Sequence, residues 1–179
     1  IWRGPMVTQA LEQLLSDTNW QDVDYLIIDL PPGTGDVQLT LCQKIPVSGA
    51  IIVTTPQDIS LIDARKGLKM FEKVEVPVLG IVENMSTHVC KKCGHIESIF
   101  GEGGGDQLAS EAGVDLIGEL PLEKQIREEM DKGTPTVSTN PMDPASLVYR
   151  DIARKMTAKL SMRKKDYSSA FPKIVIQND

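Results

Sequence analysis

Residues 25–36 read Y-L-I-I-D-L-P-P-G-T-G-D, Tyr25 to Asp36, and the remainder of the chain is organised around them. Tyr25-Leu26-Ile27-Ile28 is a short apolar run, the pattern of a strand buried on both faces of a parallel sheet. Asp29 closes it, at the carboxyl end where open α/β sheets bind their ligands. Pro31 and Pro32 stop the strand, and Gly33-Thr34-Gly35 leaves bare backbone that an anion can approach closely. An apolar run ending in Asp is also what an ordinary strand and turn look like. The full string D-L-P-P-G-T-G-D separates the two readings.

Outward from this point the chain alternates between two periods. Met6 to Leu15 places Met6, Val7, Ala10, Leu11, Leu14 and Leu15 on one helical face behind Pro5. Asp36 to Gln43 reads as a helix with Asp36 as its N-cap and Val37, Leu41 and Cys42 facing inward. Cys42 reads as a small buried hydrophobe rather than a ligand. Gly49 to Thr55 is a second buried strand. Asp58 caps a helix to Lys73 whose inner face is Leu61, Ala64, Leu68 and Phe71. Pro77 to Val82 and Asp115 to Glu119 are the third and fourth strands. This order predicts right-handed βαβ units, hence an α/β fold with a parallel sheet flanked by helices. Leu122 to Lys132 is a helix ended by Gly133, and Thr134 to Pro144 a surface loop. Asp143-Pro144 opens a last helix with Val148, Ile152, Met156 and Leu160 on its face. One domain is expected over 1–162, and 163–179 is a polar tail in which Lys173 to Gln177 has the look of a stray edge strand.

Composition narrows the function classes. A chain of 179 residues can bury a real core, and its net charge of −6 argues against nucleic acid or an anionic membrane as the main partner. No apolar run approaches the ~20 residues that span a bilayer. Three cysteines, two of them in C-x-x-C, suit a reducing compartment better than a disulfide framework.

The second chemical signal is Cys90-Lys91-Lys92-Cys93-Gly94-His95. Two thiolates at this spacing grip one soft metal centre, and Gly94 lets the backbone fold so that amides face the sulfurs. Lys91 and Lys92 favour the deprotonated thiols. Zinc or an iron–sulfur cluster wants four ligands, however. His88 and His95 would complete a Cys₂His₂ set in one chain, two chains would each give two sulfurs, and a redox C-x-x-C is a third reading. Asn84, just past the third strand, suits recognition of a base edge and equally suits a plain turn.

The string D-L-P-P-G-T-G-D resembles the Mrp/ApbC family of iron–sulfur cluster carriers, P-loop ATPases related to the MinD/ParA group. The resemblance continues through W-R-G-P-M (Trp2 to Met6), V-T-T-P-Q-D (Val53 to Asp58), G-I-V-E-N-M-S (Gly80 to Ser86), C-K-K-C-G-H and G-E-L-P-L (Gly118 to Leu122). It implies the P-loop NTPase fold of the MinD/ParA kind. It implies Asp29 as the carboxylate that orients the water shell of Mg²⁺, and Gly33 and Gly35 as phosphate contacts. Asn84 becomes a base contact, with the backbone around Pro121 as the other wall of the adenine pocket. Cys90 and Cys93 become ligands of a [4Fe-4S] cluster shared between two subunits, and zinc a possible substitute. Gln57 and Asp58 are candidates for reaching a nucleotide across a dimer, and Arg3 for a phosphate contact.

The family's P-loop, of the K-G-G-x-G-K-[ST] kind, belongs upstream of Trp2, and no G-x-x-x-x-G-K-[ST] occurs in these residues. The expectation is an N-terminally truncated domain that binds nucleotide poorly by itself and hydrolyses no ATP. Its parent would be an ATP-dependent carrier passing a cluster to apoproteins, cytoplasmic or organellar. Two alternatives stand beside it, a MinD-like positioning ATPase and a zinc-bridged, non-enzymatic dimer module. A strand edge without its neighbour further predicts an oligomer rather than a stable monomer.

Overall fold

The computed structural model describes residues 4–30 and 35–163. Its sheet has three parallel strands, β1 (Ala50–Thr54), β2 (Val78–Glu83) and, later in the chain, β5 (Leu116–Glu119), in the order β1-β2-β5. The central β2 is the most buried. Alternation along it sends Ile81 to one face and Val82 to the other.

Two helices cover the first face, α3 (Asp58–Lys73) and α4 (Gly104–Ala112). Leu61, Ala64 and Phe71 of α3 and Leu108 and Ala109 of α4 pack there with Ile52 and Ile81. Arg65 and Glu111 tie the two helices on the outside, with Nε to Oε2 at 2.8 Å and Nη2 to Oε1 at 3.0 Å. The other face is covered by α7 (Pro144–Ser161), whose Val148, Tyr149 and Ile152 meet Val82, Ile117 and Leu120. A Cβ on Gly118 would stand 2.3 Å from Ile152 Cγ1, so α7 lies as close to β5 as a bare backbone permits. Asp143 caps α7, accepting from the Ala145 amide at 2.9 Å.

The expected strands at Gly49–Thr55, Pro77–Val82 and Asp115–Glu119 are therefore present and parallel. The one read from Tyr25 to Leu30 is not. That segment joins no ladder among the described residues, and Tyr25, Leu26 and Ile27 are exposed. A run apolar on both faces becomes a strand only where neighbours take its backbone donors and acceptors. Only one edge of β1 is paired among the described residues, to β2.

The helices α1 (Gly4–Ser16) and α2 (Asp36–Lys44) form as expected, but the apolar face of α1 stays largely open, with Met6 and Leu14 exposed. Together with residues 20–29 these helices border an apolar cleft of about 320 Å³, lined by Leu11, Leu14, Leu15, Trp20, Leu26 and Ile27 among others. Leu41 and Cys42 are buried, and Leu30 and Leu39 pack against the first core. Burial pushes the Cys42 thiol pKa up, in keeping with a packing role.

Three local expectations are corrected. The N-caps of α2 and α3 are Gly35 and Gln57, so Asp36 and Asp58 are first helical residues instead. For Asp58 that is the turn where helix amides favour an anion. The stretch 134–144 holds a short helix, α6 (Thr136–Thr139), with Thr136 buried, and the helix after the fourth strand, α5 (Lys124–Asp131), starts two residues later than expected. Helix α4 was not anticipated. The strand-like segment Lys173 to Gln177 lies outside the described residues.

Candidate functional site

The carboxyl ends of β1 and β2 bring Thr54, Thr55, Glu83 and Asn84 to one rim. Asn84 is fixed there from two sides. Its amide donates to the Thr54 carbonyl at 2.7 Å, and its Oδ1 accepts from the Met85 amide at 2.9 Å, where Met85 takes a left-handed φ of 57°. The carboxamide is thereby oriented through Oδ1, and its Nδ2 has no hydrogen-bond partner among the described residues. Beside it runs the continuation of β5, because the Leu120 amide donates to the Glu83 carbonyl at 2.8 Å and the Ser86 amide to the Leu120 carbonyl at 3.0 Å. Asn84 and the segment that leads into Pro121 therefore lie side by side.

Glu83 was not singled out by the sequence, yet it is 2% exposed. Its Oε2 accepts from the Gly105 amide at 2.6 Å in the first turn of α4. Burial holds its carboxyl above the usual range, opposed by that amide and reinforced by Glu119 and Asp106. A Cβ on Gly105 would sit 2.9 Å from Glu83 Cβ, and one on Gly104 2.9 Å from the Pro56 carbonyl. The G-E-G-G-G run that concealed α4 is what lets the helix start pressed against both strand ends.

Between β2 and α4 projects a small hairpin of β3 (His88–Val89) and β4 (Ile96–Glu97), whose turn is the cysteine motif. The Cys90 amide donates to the His95 carbonyl at 2.9 Å and the Gly94 amide to the Cys90 carbonyl at 2.8 Å, with Gly94 at φ 73°. Cys90 is half-buried and Cys93 exposed. The Cys90 thiol pKa is lowered, first by the Lys92 amide, then by the amide and the thiol of Cys93, with the His88 ring contributing less. Backbone amides aimed at a sulfur, with a second sulfur in reach, are what a grip on a soft metal requires.

His88 turns away from this grip, its Nδ1 donating to the Leu122 carbonyl at 2.9 Å, and His95 is exposed. Among the described residues no three or more His, Cys, Asp and Glu side chains converge on one point. The one-chain Cys₂His₂ set is therefore not assembled, and the turn offers two sulfurs.

Asp29 is exposed on the unpaired segment beside the apolar cleft, not on the sheet. Gly35 is exposed at the head of α2. Gly33 and Arg3 lie outside the described residues. At the head of α3, Gln57 shares a cluster with the hydroxyls of Thr55 and Ser60, which lie 2.7 Å apart.

A parallel sheet with helices on both faces and polar side chains at its carboxyl edge is an open α/β architecture, in which ligands bind at that edge. The solved structures agree. A nucleotide-binding protein of Archaeoglobus fulgidus in complex with ADP superposes with TM-score 0.68 at 35% identity, over 79% of this chain and 57% of that one. The cell division ATPase MinD of Pyrococcus furiosus gives 0.61 at 19% identity, over 87% and 59%, a likeness of fold. The family model for the ParA-type NUBPL iron-transfer P-loop NTPases matches residues 1–157, and the chain belongs to that family. It is 59% identical to the iron-sulfur cluster carrier protein of Escherichia coli K12 over 160 residues, 89% of this chain and 43% of that protein. It is 50% identical to the mouse iron-sulfur cluster transfer protein NUBPL, over 89% and 50%. The chain spans about half the length of the curated relatives it matches.

Proposed function

We propose that this chain supplies the base-recognising rim and the cluster-holding turn of an ATP-dependent iron–sulfur carrier. The observation that carries the reading is the Cys90–Cys93 turn, a thiol pair backed by amides and projected from the same rim as Asn84. The names of the family and of the relatives at 50–59% identity support it. Four sulfurs complete a [4Fe-4S] cargo and one turn brings two, which supports a homodimer with the cluster between symmetry-related turns. Recipient apoproteins would take the cargo from this exposed position, in a reducing compartment of the cytoplasm or an organelle. Zinc held by the same four thiols is the competing occupant, and a positioning role like that of MinD leaves the cysteine pair without a purpose.

Asn84 Nδ2 and the backbone at Pro121 would hold the adenine, with Gly33 and Gly35 near the phosphates. Mg²⁺ binds through one or two carboxylates, water and phosphate, so the single exposed Asp29 fits it. When bound, Mg²⁺ would neutralise charge on the phosphates. Asp29→Asn in the full-length protein should lower Mg²⁺-dependent ATP hydrolysis far more than ATP binding. Unchanged turnover would remove Asp29 from the site.

The deciding experiment is anaerobic reconstitution of the full-length protein, with iron, sulfide and zinc assayed alongside the visible absorbance. Cys90→Ser or Cys93→Ser should abolish cluster binding, and Cys42→Ser should leave it intact. Equal loss in a folded Cys42→Ser protein, or zinc in place of iron and sulfide, would overturn the carrier reading.

A further inference from the structure

Past the end of β2 the chain stays zipped to the segment that follows β5. The Leu120 amide donates to Glu83 at 2.8 Å, the Ser86 amide to Leu120 at 3.0 Å and the Leu122 amide to Thr87 at 2.8 Å. Ser86 Oγ adds a contact to the Leu120 carbonyl at 3.1 Å. The final rung is a side chain, His88 Nδ1 to the Leu122 carbonyl at 2.9 Å. His88 also opens β3, two residues before Cys90. Lys91 Nζ reaches Glu123 Oε2 at 4.0 Å, but its side chain is 68% exposed and such pairs contribute little.

We infer that His88 is a positioning residue joining the Leu120–Leu122 segment to the cysteine turn, so that a purine nucleotide seated against Asn84 and Pro121 alters the reactivity of Cys90. The inference rests on the nucleotide reading above. A base held against Pro121 would bear on the backbone of 120–122, where the Leu120 and Leu122 carbonyls are the acceptors for Ser86 and His88. The backbone rungs fix 84–87 to that segment, and the His88 ring carries the constraint across to the hairpin. A ligand shifts a second site only through differential contacts, and this chain of hydrogen bonds is the route by which they would reach the turn. Reciprocity holds for binding, so a metal bound at the turn would change nucleotide affinity by the factor by which nucleotide changes metal affinity.

The test uses the full-length protein free of metal, with iodoacetamide as the thiol probe and ADP with Mg²⁺ as the ligand. Alkylation of Cys90 and Cys93 is followed separately by mass spectrometry of their peptides. ADP is expected to change the Cys90 rate by about fivefold or more, the lower end of usual coupling between sites. His88→Ala should bring that change below about twofold with ADP affinity retained, and His88→Asn, whose amide nitrogen branches from the same carbon as Nδ1, should restore most of it. A wild-type ADP effect in His88→Ala overturns the inference, as does no ADP effect on Cys90 in wild-type protein that binds ADP. So does a general, ADP-independent acceleration at both thiols that His88→Asn fails to correct. Absence of ADP binding altogether removes the nucleotide reading and this coupling with it. Coupling in a protein that takes up no cluster leaves the inference standing and removes the carrier reading alone.

Discussion

Ile27 and Ile81 are the same side chain in similar runs, Y-L-I-I and V-L-G-I-V, yet one is 72% exposed and the other 0%. Ile81 lies in β2, which has a strand on each edge and a helical layer on each face. Ile27 lies in a segment with no ladder partner among the described residues, facing an open apolar cleft. The contrast extends to the regions around them. Residues 50–163 bury Leu61, Leu108 and Ile117, while the region around α1 exposes Leu14, Trp20 and Tyr25. An apolar run states what a strand requires, and the requirement is met only where donors, acceptors and covering side chains come from elsewhere in the chain.

The largest expected effect tests that contrast directly. Ile81→Ala should cost about 2–5 kcal/mol in urea denaturation, the usual range for a buried aliphatic truncation. Ile27→Ala should stay within about 0.5 kcal/mol, as exposed substitutions do. Comparable losses at the two positions would mean that residues 25–30 are covered in solution, as the oligomer expected from the sequence would have it.

A second test sharpens the well-packed side. Gly118→Ala forces a Cβ into Ile152 and should cost about 1–3 kcal/mol by overpacking. Combined with Ile152→Ala, part of that loss should disappear, because the two positions share one contact. Additive losses would show that α7 rests on β5 through other residues.

The smallest effect concerns the buried acid. Folding raises the Glu83 pKa, so the folded state holds its proton more tightly than the unfolded chain. Its contribution is fully present below the ordinary glutamate value of about 4.3 and is lost as pH rises through the raised folded value. Glu83→Gln keeps an acceptor for the Gly105 amide and removes the charge. Its melting temperature should therefore fall less between acid and neutral pH than that of the wild type. Parallel curves would mean that Glu83 does not titrate with folding.

Most of the sheet was legible because G-A-I-I-V-T-T, P-V-L-G-I-V and D-L-I-G-E are short apolar runs at βαβ spacing, and their neighbours lie within the chain. The face of α7 was legible from its four-residue repeat, and Asp143 as its cap from Asp-Pro. What escaped depended on contacts distant in sequence. Helix α4 hid behind Gly103, Gly104 and Gly105, which signal a turn unless Pro56 is known to press on Gly104 and Glu83 on Gly105; Leu108, Ala109 and the following Gly113 were the available clue. Glu83 looked like one more residue in G-I-V-E-N-M-S, and the partner of its carboxylate, the Gly105 amide, lies 22 residues away. The tight turn that holds the cysteine pair was readable from C-x-x-C-G, with Gly94 at φ 73°. The turning of His88 toward Leu122 was not, since nothing local announces an acceptor 34 residues away.

The separation of α7 from the strand it covers has a consequence in time. Helix α7 ends at Ser161, whereas β5 ends at Glu119. At the usual ~5–20 residues per second of synthesis, the last residue of α7 is added roughly 2–8 s after the strand is complete. Through that interval Val82, Ile117 and Leu120 have no helix to face, although α3 and α4 are already available for the opposite side. The nascent chain thus passes through a half-clad stage, in which one side of its sheet is sealed and the other is open to whatever apolar surface arrives first.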